Sequence, residues 1–334
     1  MADIKTAITE IVTGLGMCGA DSVESALDTP PLTLGNVDAG TWQRLRNAWN
    51  DGIHRDLFVA SWMNGRAFLH ARDALRDRPP TIVEWKGPHR SIGDEAVPSD
   101  LRVDHVYLVS CKYLSDIVVN ASPQHLFDRL LAGGHGKRAG IDWYDEVAAA
   151  EHEALYAVVR DSVNMPLPDS VCDLTTGQRR DLGHSYRRGS AWPGEGERLY
   201  AALVARVAEA SAHRWRAAIG AKHEAMLWRL LRIGSAPYFV LGASAKGFMR
   251  LRIATPWDWR RHFELRKFSV EPRVGGQPMI GWEAIVRRRD DGGEMPVQGY
   301  VEIRWSHRRF GAPPEAKVHL ETPHAQVPGY FALD

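Results

Sequence analysis

The sequence predicts an α/β fold: a mixed sheet flanked by helices, with a β-rich domain at the C-terminal end. Three observations carry this. The N-terminal part repeats apolar residues at helical spacing. The middle alternates β-type runs with a well-capped helix. From Gly234 onward, short β-type runs are separated by turn residues.

In order, Ile4, Ile8, Ile11, Val12 and Leu15 predict a short amphipathic helix over residues 3–15. "TPPLTLGNVDAG" (29–40) is a Pro/Gly-rich connector, and residues 41–76 are mostly helical with glycine interruptions. "TIVEWKG" (81–87) and "PSDLRVDHVYLVSCKYLS" (98–115) are β-type. "SPQHLFDRLLAGG" (122–134) reads as a helix, with Ser122 as its cap, Pro123 in its first turn and glycines at its end. Another helical patch covers about 142–160, and a polar loop or mobile flap covers 161–196. The clearest helical stretch is 197–232. The runs "PYFVLGA", "FMRLRIA", "GWEAIVRRR", "VQGYVEIRW" and "AKVHLET" follow, with "DDGG" (290–293) as a hairpin loop. The expected division is therefore an N-terminal helix and connector (1–40), an α/β core (41–160), a loop and helical connector (161–232) and a β-rich domain (233–334).

Composition bounds the function only loosely. Of 334 residues, 44% are hydrophobic and 25% charged, with a net charge of +1, so bulk charge names no partner. Three cysteines without a C-x-x-C pair argue against a disulfide framework and a thiolate zinc site. No signal peptide and no membrane span are expected, and a reducing cytoplasm is the default location.

The chemistry concentrates in 98–115. Strand alternation puts Val106, Leu108, Ser110 and Lys112 on one face and Tyr107, Val109 and Cys111 on the other. A run apolar on both faces is a central strand. A lysine ending such a strand must reach water, pair with an acid, or do chemistry. Acids beside a strand-end lysine suit phosphodiester hydrolysis, where carboxylates hold Mg²⁺ on the phosphate and the lysine orients the attacking water.

"PSD" followed by "LVSCK" resembles the PD-(D/E)xK nuclease superfamily, the restriction-endonuclease-like fold. The likeness covers roughly residues 60–135. It implies a Mg²⁺-dependent deoxyribonuclease of the restriction or defence type, with a helix behind the lysine strand where "SPQHLFDRLL" falls. It also implies that Glu84, Asp100 and Asp104 hold metal and that Lys112 positions water. Ser110 departs from the pattern, because it stands where the family has Asp or Glu and cannot supply an anionic ligand. Glu84 or Asp128 would replace that carboxylate. The short spacing from Asp104 to Ser110 leaves Asp100 as the alternative for the family's aspartate. A rival assignment uses Glu84 and Lys86 of "VEWK" with Asp77 upstream.

Other patterns resolve to structure. "GLGMCG" follows helical periodicity rather than a strand, so it reads as a helix end and not a dinucleotide loop. "GGHGKRAG" lacks phosphate-loop spacing, although Lys137 and Arg138 remain candidate phosphate contacts. "EHEALY" has no second histidine four residues on, so it is no zincin helix. In the C-terminal part, "RLRIATPWDWRRHFELRK" and "EIRWSHRRFG" interleave arginines with aromatic rings. Arg260, Arg261, Arg304, Arg308 and Arg309 are the candidate DNA contacts. DNA is the expected partner, with a homodimer as a further expectation. A recognition protein with a degenerate nuclease core and a non-enzymatic scaffold subunit are the alternatives.

Overall fold

The computed structural model describes residues 3–87, 99–113, 117–129, 142–186, 189–234, 237–244, 247–273, 275–305 and 308–334. The chain forms two compact units that interleave in sequence. The first comprises Met1–Asp116, Arg232–His262 and His324–Asp334, and the second Ile117–Leu231 and Phe263–Pro323.

The first unit opens with one continuous helical run: α1 (Ile4–Ala7), a π-helical turn (Ile8–Val12) and α2 (Thr13–Met17). Ile8, Ile11, Val12 and Leu15 are fully buried, so the predicted apolar stripe is the core face. α3 (Val23–Asp28) is capped by Ser22 and α4 (Ala39–Asn50) by Asp38, each side chain accepting a backbone N–H of the first turn. α5 (Arg55–His70) follows a break where Gly52 and His54 have φ of 72° and 59°. α2 and α5 approach through glycines. A Cβ on Gly65 would lie 2.1 Å from the Thr13 carbonyl oxygen, and one on Gly16 2.4 Å from that of Trp62. Gly16 of "GLGMCG" thus serves helix packing, while Gly19, with φ 80°, lies in the turn after α2.

These helices pack on a seven-stranded sheet ordered β1-β2-β3-β4-β6-β7-β12. Its strands are β1 (Leu34–Gly35), β2 (Val83–Trp85), β3 (Leu101–Val103), β4 (Tyr107–Tyr113), β6 (Tyr238–Ser244), β7 (Gly247–Ile253) and β12 (Tyr330–Ala332). β2, β3 and β4 run antiparallel in turn, and β6 lies parallel to β4. β4 is the central strand, as its two apolar faces predict. Phe68 of α5 packs edge-on against Phe239 and Tyr107, with ring centroids 4.9 and 5.8 Å apart. This aromatic contact fixes the sheet face that carries Val109 and Cys111.

The second unit begins with β5 (Ile117–Ala121). This strand leaves the first sheet and pairs with β11 in a five-stranded antiparallel sheet, β5-β11-β10-β9-β8. Its helices are α6 (Trp143–Asp161), α7 (Thr176–Ser185), α8 (Gly196–Ile219) and α9 (His223–Leu230). α10 (Pro256–His262) belongs to the first unit. β8 (Phe263–Arg273), β9 (Met279–Arg288), β10 (Glu294–Arg304) and β11 (Glu315–Leu320) complete the second sheet, with "DDGG" joining β9 to β10.

Three expectations are corrected here. The domains are not consecutive blocks, because β6 and β7 join β4 while β8 to β11 gather β5. The polar stretch 161–196 contains α7, started by a reciprocal capping box between Thr175 and Gln178. α7 buries only Leu182 and Gly183, so its apolar signal is faint. The helix expected behind the lysine strand starts as predicted, with Ser122 Oγ accepting from His125 N at 3.2 Å. Its π-helical turn (His125–Arg129) belongs to the second unit.

Candidate functional site

β3 and β4 form a hairpin so tight that Asp104 and His105 both take left-handed φ, 49° and 58°. Aspartate and histidine tolerate this conformation better than most residues. The turn sets the register: Leu101 faces Val109 and Val103 faces Tyr107. Asp100 therefore falls opposite Ser110, and its N–H donates to the Val109 carbonyl at 2.9 Å. Its carboxylate Oδ2 accepts from the Ser110 hydroxyl at 3.2 Å and from the Cys111 N–H at 2.7 Å. On the next strand, Lys86 N donates to the Asp100 carbonyl at 2.9 Å. One row thus runs Lys86, Asp100, Ser110 across three strands, and Lys112 lies one step beyond on the Ser110 face.

Lys86 and Ser110 are buried, whereas Asp100 and Lys112 are half-buried. Tyr238 on β6, the parallel partner of Leu108, hydrogen-bonds Ser110, and burial pushes its phenol above the ordinary range. Gly242 is the parallel partner of Lys112, and a Cβ there would stand 2.6 Å from the Lys112 carbonyl oxygen. The opposite face carries Cys111. Burial raises its thiol well above the usual value, and the nearby Asp100 and Glu10 carboxylates add to this. Such a thiol is protonated and unreactive.

The structure does not bring all the predicted acids to this row. Asp104 lies at the far end of the hairpin. Its Oδ1 accepts from Thr81 N and Ile82 N at 2.7 and 3.2 Å, and Arg78 approaches its Oδ2 at 3.4 Å. Lys112 is five strand residues from the Tyr107 end, roughly 16 Å at about 3.3 Å per residue. Asp104 is a turn cap, and its expected grouping with Asp100 and Lys112 is corrected. Glu84 shares the face but sits one row away, opposite Arg102. Arg102 grips it through Nε and Nη2 at 2.5 and 2.9 Å. This bidentate bond holds the Glu84 carboxyl below its ordinary range, against the opposing effect of burial. Asp128 lies in the second unit and accepts two bonds from Arg214, at 2.7 and 2.6 Å. Asp77 of the rival assignment is paired with His70.

Mg²⁺ is usually bound through one or two carboxylates, with waters and substrate phosphate completing the shell. The expected cage of Glu84, Asp100 and Asp104 does not fit that ion, because one member is clamped by arginine and another is at the wrong end. Of the three, only Asp100 lies in the row with Ser110. Among the described residues, the one group of three ligating side chains within reach of a single ion is Asp142, Asp145 and His152 in the second unit. Sequence reasoning missed it. Asp145 and His152 stand seven residues apart in one helical stretch, but the helix breaks at Ala148 between them, so helical periodicity alone does not bring them together. Glu10, also missed, accepts from Trp85 Nε1 at 2.6 Å on the Cys111 face.

The predicted nucleic-acid contacts divide. Arg260 and Arg261 are exposed on α10, and the Arg261 guanidinium stacks 4.7 Å over Trp257, a ring 66% exposed. Arg308 is exposed in the second unit. Arg304 is instead paired with Glu302 at 2.9 Å. Arg309 lies 3.7 Å over Trp192 and donates to the Ser190 carbonyl at 2.7 Å. Both of these serve the second unit's own packing, which corrects their assignment as free DNA contacts. Lys137 and Arg138 lie outside the described residues.

No helix among the described residues is long and apolar enough to cross a membrane. No protein-family model, curated protein or solved structure matches the chain.

Proposed function

We propose that the first unit is a DNA phosphodiesterase core of the restriction or defence type, built on a restriction-endonuclease-like sheet. The observation that carries this is the Asp100 carboxylate set against Ser110 across two strands, with Lys112 next on the same face. The mixed strand order, two antiparallel steps and then a parallel one, supports the same fold. Asp100 would hold Mg²⁺ together with substrate phosphate, and the ion would supply Lewis-acid polarisation of the scissile phosphate. The Lys112 ammonium orients the attacking water and offsets charge that develops on the phosphate. Ser110 holds Asp100 in place by its hydroxyl. The exposed Trp257 and Arg261 of α10 offer a ring and a cation to nucleic acid.

One feature favours a second reading, a DNA-recognition protein with a degenerate core. Ser110 replaces an acid, and Arg102 occupies the carboxylate of Glu84, the nearest substitute. Plasmid cleavage with and without Mg²⁺ separates the two. Cleavage that needs Mg²⁺ and is lost in Lys112→Ala and Asp100→Asn, with circular dichroism unchanged, supports the enzyme. Steeply salt-dependent DNA binding without cleavage selects the recognition protein. Absence of both cleavage and low-salt binding refutes both and leaves the scaffold role.

A further inference from the structure

We propose that Asp142, Asp145 and His152 form a binding site for a divalent transition-metal ion of the Zn²⁺ class. The site lies in the second unit and is independent of the Asp100 row. It is built at the start of α6. Asp142 is the cap residue, and its Oδ1 accepts from Tyr144 N at 3.0 Å, which leaves Oδ2 turned away from the helix end. Asp145 stands in the first turn, and His152 two turns later. Between them Ala148 departs from helical dihedrals, with φ −152° and ψ 42°. One ligating atom from each of the three side chains lies within 4.8 Å of the others.

The second, independent observation is unsatisfied polarity. Asp142 Oδ2 is buried and has no hydrogen-bond partner, on a side chain only 4% exposed. His152 Nε2 is equally buried and unpartnered. Asp142 Oδ2 does form an ion pair with Arg179 Nη1 at 3.7 Å, too long for a hydrogen bond, so neither buried atom is hydrogen-bonded. Native proteins rarely leave such atoms alone, and an ion or water is the usual explanation. The imidazole is also locked in place. His152 Nδ1 lies 2.5 Å from Asp145 Oδ1, and the ring stacks on Phe310 at 5.6 Å with Tyr144 edge-on at 5.5 Å. The bond to Asp145 occupies Nδ1, so Nε2 is the nitrogen left to meet an ion, and Asp145 orients the ring as carboxylates beside metal-bound histidines do.

The donor types choose the ion. Mg²⁺ and Ca²⁺ favour all-oxygen shells, whereas imidazole nitrogen suits Zn²⁺ and its first-row neighbours. Cys172, an exposed thiol hydrogen-bonded to Asp145, marks the solvent side of the cluster.

The test uses the full chain, stripped with chelator and titrated with Zn²⁺ alone by calorimetry, with retained metal counted by mass spectrometry. The expected result is one ion per chain and a rise in melting temperature on Zn²⁺ addition. Asp142→Asn and Asp145→Asn should weaken binding at least tenfold and abolish the melting shift. These near-isosteric variants keep the packing, and circular dichroism verifies it. Two results overturn the site. One is no stoichiometric ion in the wild type, which leaves a buried ion pair bridged by water. The other is unchanged affinity in both variants, which means adventitious binding by surface histidines. DNA cleavage is not a readout, so this outcome and that of the nuclease test are separable.

Discussion

Neutralising Glu84 distinguishes a structural acid from a metal ligand. In Glu84→Gln the side chain keeps its shape but loses the charge that Arg102 grips at 2.5 and 2.9 Å. A charge-assisted bond is worth about 1.5–3 kcal/mol, and an exposed ion pair about 0.2–1. Glu84 is 17% exposed and Arg102 35%, which places the pair between these limits. The expected coupling is about 1–2 kcal/mol at pH 7. It is measured by urea denaturation in a double-mutant cycle of Glu84→Gln, Arg102→Met and the pair. The sign of the pH dependence follows from the lowered Glu84 carboxyl, which binds its proton less readily when folded than when unfolded. Its stabilisation is complete above the unfolded-state value, about 4.3. It fades as pH falls through the lower folded-state value. The cycle should therefore show full coupling at pH 7 and a coupling that declines steadily as the pH is lowered below about 4.3. Metal-dependent DNA cleavage should persist in Glu84→Gln. Coupling below about 0.3 kcal/mol, within the error of such cycles, would refute the clamp. So would loss of cleavage in a folded, metal-replete Glu84→Gln, because it would make the carboxylate a ligand.

Further outcomes follow from the same structure. Gly65→Ala should lower stability by about 1–3 kcal/mol, seen as a lower urea midpoint, because the new methyl collides with the Thr13 carbonyl in a closed helix crossing. Maleimide labelling of the native chain should modify exposed Cys172 well before Cys111, whose labelling should require unfolding; prompt labelling of Cys111 would show that the sheet face packed by α5 is open. Trp257→Ala should weaken single-stranded DNA binding in fluorescence anisotropy by about 1–3 kcal/mol, the usual worth of one stacked base, with the melting temperature unchanged.

Local patterns in the chain determined much of the architecture. The helical stripe through Ile8, Ile11 and Leu15 and the β-type runs after Gly234 all record periods that a single element imposes on its own residues. The same periods put Ser110 and Lys112 on one face before any neighbour was known. Only the tertiary structure decided which strands lie side by side, because register couples residues that are distant in sequence. That register placed Asp100 against Ser110, handed Glu84 to Arg102 and sent β5 to β11 in the other sheet. Asp104 shows the physical reason. A single left-handed turn reverses the chain there, so an acid four residues from Asp100 in sequence is carried to the opposite end of the hairpin from Lys112. Alternation along a strand tells which way a side chain points, but hydrogen bonding between strands chooses what it meets.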